Sequence, residues 1–179
     1  LPQLNGLPAG PRPKMRTPVP RPAAPAPAAV KSNKPIVEGK FGQALDGRAG
    51  GAFVAGREDF HKFPITVECW TKLADKSSYN ILVANQLKSS GTHWEVFSMA
   101  GNGHFTAYLP GFAPDHCNSS AMICDDKWHH VAMILEPERV RLYVDGKQVA
   151  DQPHKRNNRA TEPGGLAIAS LVDRAIGCS

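Results

Sequence analysis

A chain of 179 residues with 41% hydrophobic side chains and a formal charge of +5 is long enough for one domain with its own core. It has no apolar run long enough to span a bilayer, which argues against a membrane segment in this stretch. Its net positive charge comes from outside the apolar-patterned part, where no basic cluster stands out, which argues against a nucleic-acid-binding domain.

Residues 1–35 stand apart. Most of the prolines fall between Pro2 and Pro35, there is no acidic residue, and apolar side chains are scattered. Such a stretch cannot bury enough surface to offset the entropy of ordering, so it is expected to be a disordered, basic, Pro/Ala-rich linker. Pro18-Val19-Pro20 and Pro25-Ala26-Pro27 favour extended polyproline conformations. Arg12, Lys14, Arg16, Arg21, Lys31 and Lys34 all lie here and leave the remainder close to neutral.

From Ile36 onward the pattern is of short apolar runs separated by turn residues. Ile65 to Trp70 alternates after Pro64, and Asn80 to Ala84 is a short β-rich run. His93 to Phe97 and His104 to Leu109 flank Gly101-Asn102-Gly103, which predicts a hairpin. Trp128 to Leu135 has apolar groups on both faces and belongs inside a sheet. In Val140 to Val144, Val140, Leu142 and Val144 share one face, while Arg139, Arg141 and Tyr143 take the other. Asp145-Gly146 then predicts a tight hairpin to Lys147–Ala150, because both positions need positive φ. A last strand starts at Gly164-Gly165-Leu166-Ala167-Ile168. No helix of three turns stands out. Short strands without intervening helices predict an all-β, two-sheet antiparallel sandwich over residues 36–179. The stretch from Pro110 to Asp126 reads as a long loop.

Three segments carry a resemblance. Gly39-Lys40-Phe41-Gly42-Gln43-Ala44-Leu45-Asp46-Gly47 resembles the opening strand of laminin G-like, concanavalin A-like jelly-roll modules, and Phe63 to Trp70 resembles their next strand. Trp128-His129-His130-Val131-Ala132 followed by Val140-Arg141-Leu142-Tyr143-Val144-Asp145-Gly146 resembles their most recognisable strand pair. The resemblance implies a jelly-roll sandwich of an extracellular, periplasmic or cell-surface protein, with a glycan or an extracellular protein as ligand and other domains of a parent chain as neighbours. That family usually closes with an Ile-Asp-x-Val-Arg-like strand. No such strand is found here, so the domain is expected to lack its last strand and to be a piece of a longer protein. The fold hosts lectins, adhesion modules and glycoside hydrolases alike, so function has to be argued from a site.

No catalytic set emerges. Hydrolases on this sandwich carry paired acids on one strand face, in a Glu-x-Asp-x-x-Glu arrangement that supplies nucleophile and general acid. Here Glu68 stands alone on its run, and Glu136 and Glu138 flank Pro137. His129 and His130 are adjacent, so one ring points inward and the other outward. His116 near Cys117 and Cys124 matches no common zinc spacing. The resemblance makes calcium conceivable, through Asp115, Asp125, Asp126 or Asp173, but no dense acidic loop exists and no metal ligand is assigned.

Four cysteines allow three pairings. Cys117 and Cys124 bracket a short polar segment whose loop closes easily and are the first candidates for a disulfide; Cys69 and Cys178 read as small buried apolar residues. Asn118-Ser119-Ser120 fits the glycosylation pattern. For ligand binding the candidates are Trp70, Tyr108 and Tyr143, aromatic rings that alternation sets among polar neighbours and that could stack on sugar rings or cover a sheet. Trp94 and Trp128 read as core. The leading expectation is a non-catalytic carbohydrate- or protein-binding accessory module; the alternatives are a structural module packed on another domain and a glycoside hydrolase.

Overall fold

A computed structural model describes residues 36–172. The linker expected at 1–35 lies outside the described residues, as do Asp173 and Cys178. Fourteen strands follow one another. They are β1 (Ile36–Glu38), β2 (Gln43–Leu45), β3 (Ala52–Val54), β4 (Ile65–Lys72), β5 (Asn80–Asn85), β6 (Trp94–Ser98) and β7 (His104–Tyr108), then β8 (Phe112–Ala113), β9 (His116–Met122), β10 (Trp128–Glu136), β11 (Arg139–Val144), β12 (Lys147–Pro153), β13 (Lys155–Arg156) and β14 (Leu166–Ile168). Short 3-10 turns at Gly47–Ala49 and Glu58–His61 are the only helical elements among the described residues. None is long or apolar enough to cross a membrane.

Two antiparallel sheets make the sandwich. One has the order β12-β11-β10-β4, the other β3-β14-β5-β6-β7-β9. β10 lies between β11 and β4, as its apolar character predicts. Val131, Met133 and Leu135 of β10 and Val140, Leu142 and Val144 of β11 face inward against Trp94, Val96, Phe105 and Ala107 of the opposing sheet. A one-residue slip of β11 would bury Arg139 and Arg141 in place of these aliphatics, so the hydrophobic pattern fixes the register. Asp145 and Gly146 sit at φ 50° and 77°, as the tight hairpin requires.

Residues 110–126 depart from expectation. They hold β8 and β9, and β9 is a full edge strand paired with β7. Its inward residues, Cys117, Ser119 and Ala121, are small and only mildly apolar, so the alternation carries almost no hydropathy signal. The same strand removes the Cys117–Cys124 disulfide: both are free thiols. An extended chain rises about 3.3 Å per residue, so β9 carries the backbone well beyond the Cα separation of roughly 4.4–6.8 Å that a bridge requires.

Candidate functional site

Pairing registers put the sequence-chosen aromatics on opposite outsides of the sandwich. Trp70 and Tyr143 lie on the outer face of the four-stranded sheet, where Tyr143 pairs with Ala132 and Ala132 with Glu68. Tyr108 lies on the outer face of the six-stranded sheet. There, one row crosses all six strands: Phe53, Ala167, Ala84, Glu95, Tyr108 and His116. The next row is Ile81, Phe97, Thr106 and Asn118. Nothing brings Tyr108 together with the other two.

The six-stranded face buries charge. Glu95 is 2% exposed although it points away from the core. Its Oε1 lies 2.9 Å from Lys88 Nζ, and its Oε2 faces His93 Nε2 at 3.4 Å, without a well-formed hydrogen bond between the latter two. His93 itself is buried and sits 3.2 Å from the Gln86 carbonyl through Nδ1. Burial pushes the Glu95 carboxyl up, but His93 and Lys88 outweigh it and hold the group below the ordinary carboxylate value, so it is ionised at neutral pH. Tyr108 completes the arrangement. Lys88 Nζ lies 5.4 Å from its ring centre, His93 meets it edge-on at 5.9 Å, and His116 overlies it at 4.6 Å. His116 in turn is 2.8 Å from Asp115 through Nδ1.

Loops distant in sequence build this roof. Gln86, at φ 61°, turns the chain out of β5, and its Oε1 accepts from Ser90 Oγ at 3.0 Å and Thr92 Oγ1 at 2.5 Å. The 157–165 segment is tied on by Gly91 N donating to the Ala160 carbonyl (2.6 Å) and Glu162 N to Ser90 Oγ (2.9 Å). The close approach demands glycine: a Cβ on Gly111 would fall 1.7 Å from the Gly91 carbonyl oxygen, and one on Gly91 would fall 2.1 Å from that of Arg159.

The four-stranded outer face pairs its charges in the open. Arg139 meets Asp151 at 2.6 Å, Arg141 bonds Glu136, and His130 approaches Glu68 at 3.6 Å. The Tyr143 hydroxyl donates to Gln148 Oε1 at 3.1 Å. Trp70 is 41% exposed; Phe41 meets it edge-on at 5.5 Å, and Lys40 lies over its ring at 5.4 Å. Beside them a cleft of about 590 Å³ opens between the β1–β2 hairpin and the unpaired edge of β4. Trp128 lines this cleft, half-buried, whereas Trp94 is in the core as expected.

The remaining sequence candidates have structural partners. His129 is clamped by Asp145 Oδ2 at 2.7 Å through Nδ1 and by Asp125 Oδ1 at 2.9 Å through Nε2. Asp126 pairs with Lys72 at 3.3 Å. Among the described residues, no three His, Cys, Asp or Glu side chains converge as metal donors. Sequence reading passed over Glu95, His93 and Lys88. Alternation in His93-Trp94-Glu95-Val96-Phe97 does put His93 and Glu95 on the face opposite Trp94 and Val96; nothing local signals that the face is roofed.

The fold has recognisable relatives. The profile of the concanavalin A-like lectin/glucanase superfamily, laminin G type, matches residues 46–173. The chain belongs to this superfamily. No curated protein matches it in sequence. Among solved structures, the binding domain of Paraclostridial Mosquitocidal Protein 1 is similar at 16% identity and a TM-score of 0.57, over 78% of this chain and 38% of that one. Domain 4 of AbnA, a GH43 extracellular arabinanase from Geobacillus stearothermophilus, in complex with arabinotriose, is similar at 13% identity and a TM-score of 0.54, over 80% of this chain and 69% of that one. Mouse laminin α1 chain domains LG4-5 match at 14% identity and a TM-score of 0.47, over 73% of this chain and 35% of that one. The chain thus spans well under half of the mosquitocidal and laminin chains it resembles.

Proposed function

We propose that this is a non-catalytic carbohydrate-binding module of an extracytoplasmic protein, with its site on the outer face of the six-stranded sheet at Tyr108. The observation that carries this reading is the ionised Glu95, buried on an outer sheet face beneath Tyr108 and held by Lys88 and His93. Burying a charge where the core gains nothing is costly, and such groups concentrate where a fixed polar partner is needed. The half-buried Tyr108 and the His116 ring tilted against it at 4.6 Å offer an aromatic surface to a sugar ring, and Asn118 offers an exposed polar group on the next row. Glu95 has no second carboxylate beside it on its row, so the acid pair of a glycosidase is not formed there. A glycan array with the full chain, with and without calcium, tests the reading. Binding that Tyr108→Ala weakens about tenfold is the expected result, and no binding to any glycan would overturn it.

A second reading, a module packed against another domain, draws on the cleft beside β4. Phe41 and Trp70, which line it, are 73% and 41% exposed, and apolar exposure of this kind marks docking faces. Among the described residues the β4 edge is unpaired and borders the cleft. Slower amide exchange along β4 when a candidate partner domain is added would favour this second reading.

A further inference from the structure

We infer that the ligand of the six-stranded face is an anionic glycan, one carrying carboxylate or sulfate groups; this rests on the reading proposed above. The inference comes from how the cations at the rim of that face are held. In the segment Lys155-Arg156-Asn157-Asn158-Arg159, the first two residues pair with β8, and Asn157 and Arg159 reach residues 110–111 and Lys88. Asn157 fastens it: its side chain donates to the Pro110 carbonyl at 2.7 Å and its backbone N–H to the Gly111 carbonyl at 2.9 Å. Arg159 Nη1 donates to the Lys88 carbonyl at 3.3 Å, which joins it to the residue that covers Tyr108 and Glu95. The Arg156 guanidinium lies over two rings, 5.3 Å from the centre of Phe63 and 5.5 Å from that of Phe112.

These partners position the guanidinium groups without neutralising them. A carbonyl dipole and aromatic faces fix a cation's place and leave its donors available, whereas a carboxylate would occupy the fork. The nearby acids are already engaged: Glu95 by Lys88, Asp115 by His116, and Glu162 by Ser89. Among the described residues, Lys155, Arg156 and Arg159 form no ion pair. Oriented, un-neutralised arginines suit planar anions, which they grip bidentately, and pre-ordering them removes part of the entropic cost of binding. An anionic group gains charge-assisted, bidentate contacts here that a neutral hydroxyl cannot match. Apart from these three cations, residues 36–179 hold 12 Lys and Arg against 16 Asp and Glu, so the positive charge at the rim is local.

Calorimetric titration of the full chain with polygalacturonate, which carries carboxylates only, with dextran sulfate, which carries sulfates only, and with a neutral β-glucan tests the inference. Because Arg12, Lys14, Arg16, Arg21, Lys31 and Lys34 also attract polyanions, all proteins carry glutamine at these positions. At least tenfold tighter binding to one of the two anionic glycans than to the β-glucan is expected. The double variant Arg156→Gln/Arg159→Gln should erase that preference, and the anionic partner that responds identifies carboxylate or sulfate as the recognised group. Unchanged anionic binding in the double variant overturns the inference, as does equal, equally salt-sensitive binding of poly(U) RNA, which would make the rim a general polyanion surface. If the double variant loses binding and Tyr108→Ala does not, the anionic preference stands and the sheet-face site is what fails. Far-ultraviolet circular dichroism of each variant confirms that the fold is kept.

Discussion

The two outer faces of this sandwich handle charge in opposite ways. On the four-stranded sheet, Arg139, Arg141 and His130 meet Asp151, Glu136 and Glu68 at positions that water reaches. On the six-stranded sheet, one carboxylate is pressed to 2% exposure beside a lysine, a histidine and a tyrosine. The first arrangement keeps a sheet surface soluble and fixes little. The second requires two loops from distant parts of the chain to close over it, and a folded domain gains little from that unless the group beneath has work to do.

Stability measurements would break or sharpen this contrast. Lys88→Ala leaves Glu95 buried without its cation and is expected to cost about 2 kcal/mol, the moderate figure reflecting an ammonium that is 45% exposed and a gap that solvent can enter. Arg139→Ala, which opens an exposed pair on the other face, is expected to cost roughly 0–1 kcal/mol. Urea midpoints of the two variants decide it; equal costs would mean that the two faces do not differ. The sign with pH follows from Glu95. Its carboxyl is held below the ordinary value when folded, so the stabilisation is present above the unfolded carboxylate range and fades as pH falls through the folded value. The penalty of Lys88→Ala should therefore shrink in acid.

Binding gives the next largest effect. Tyr108→Ala should weaken glycan binding about tenfold through loss of one aromatic platform, while Tyr143→Ala should leave it unchanged, since that ring sits on the opposite face with its hydroxyl engaged by Gln148. The reverse result would move the site to the four-stranded sheet.

The sandwich itself was readable because its central strands advertise their faces. β11 alternates aliphatic and polar side chains without exception, and the turn that follows has the residues its backbone angles demand. β9 was not readable, because cysteine, serine and alanine fill its inward positions and a polar edge strand looks like a loop. At the candidate site, Tyr108 stood out as an aromatic among polar neighbours. Glu95 did not, because its burial is a property of packing between residues 86–92 and 157–165, held close by Gly91 and Gly111, and local sequence does not encode that meeting.

One clamp on the four-stranded side lets the contrast be tested by titration. Burial pushes the His129 imidazole down, but Asp145 and Asp125 outweigh it and raise it above its ordinary value, while His129 and then Lys127 draw Asp125 down to about 2. A group whose folded value is raised stabilises fully below its unfolded value near 6.5 and loses that contribution as pH rises through the folded one. The melting temperature should therefore fall, on the order of a few degrees, as pH rises from about 6 to 9, and His129→Gln should flatten that slope. An unchanged slope in the variant would show that the clamp contributes nothing.

The smallest effect concerns the thiols, which differ between strands as the faces do. Cys117 is 1% exposed on the inner side of β9, and burial, aided by the Asp151 charge, pushes its thiol up to about 11. Cys69, on the unpaired edge strand β4, is half-buried, and its thiol is likewise pushed up to about 11, mainly by burial with Glu68 adding to it. At pH 8 both are overwhelmingly protonated, so access decides which reacts. A disulfide reagent under native conditions should label Cys69 slowly and leave Cys117 and Cys124 untouched until denaturant is added, and pretreatment with reductant should not change the Cys117 and Cys124 count. A gain of two titratable thiols at those positions on reduction would restore the disulfide and require β9 to be redrawn as a loop. Native labelling of Cys117 ahead of Cys69 would instead mean that the β9 edge opens more readily than the cleft beside β4.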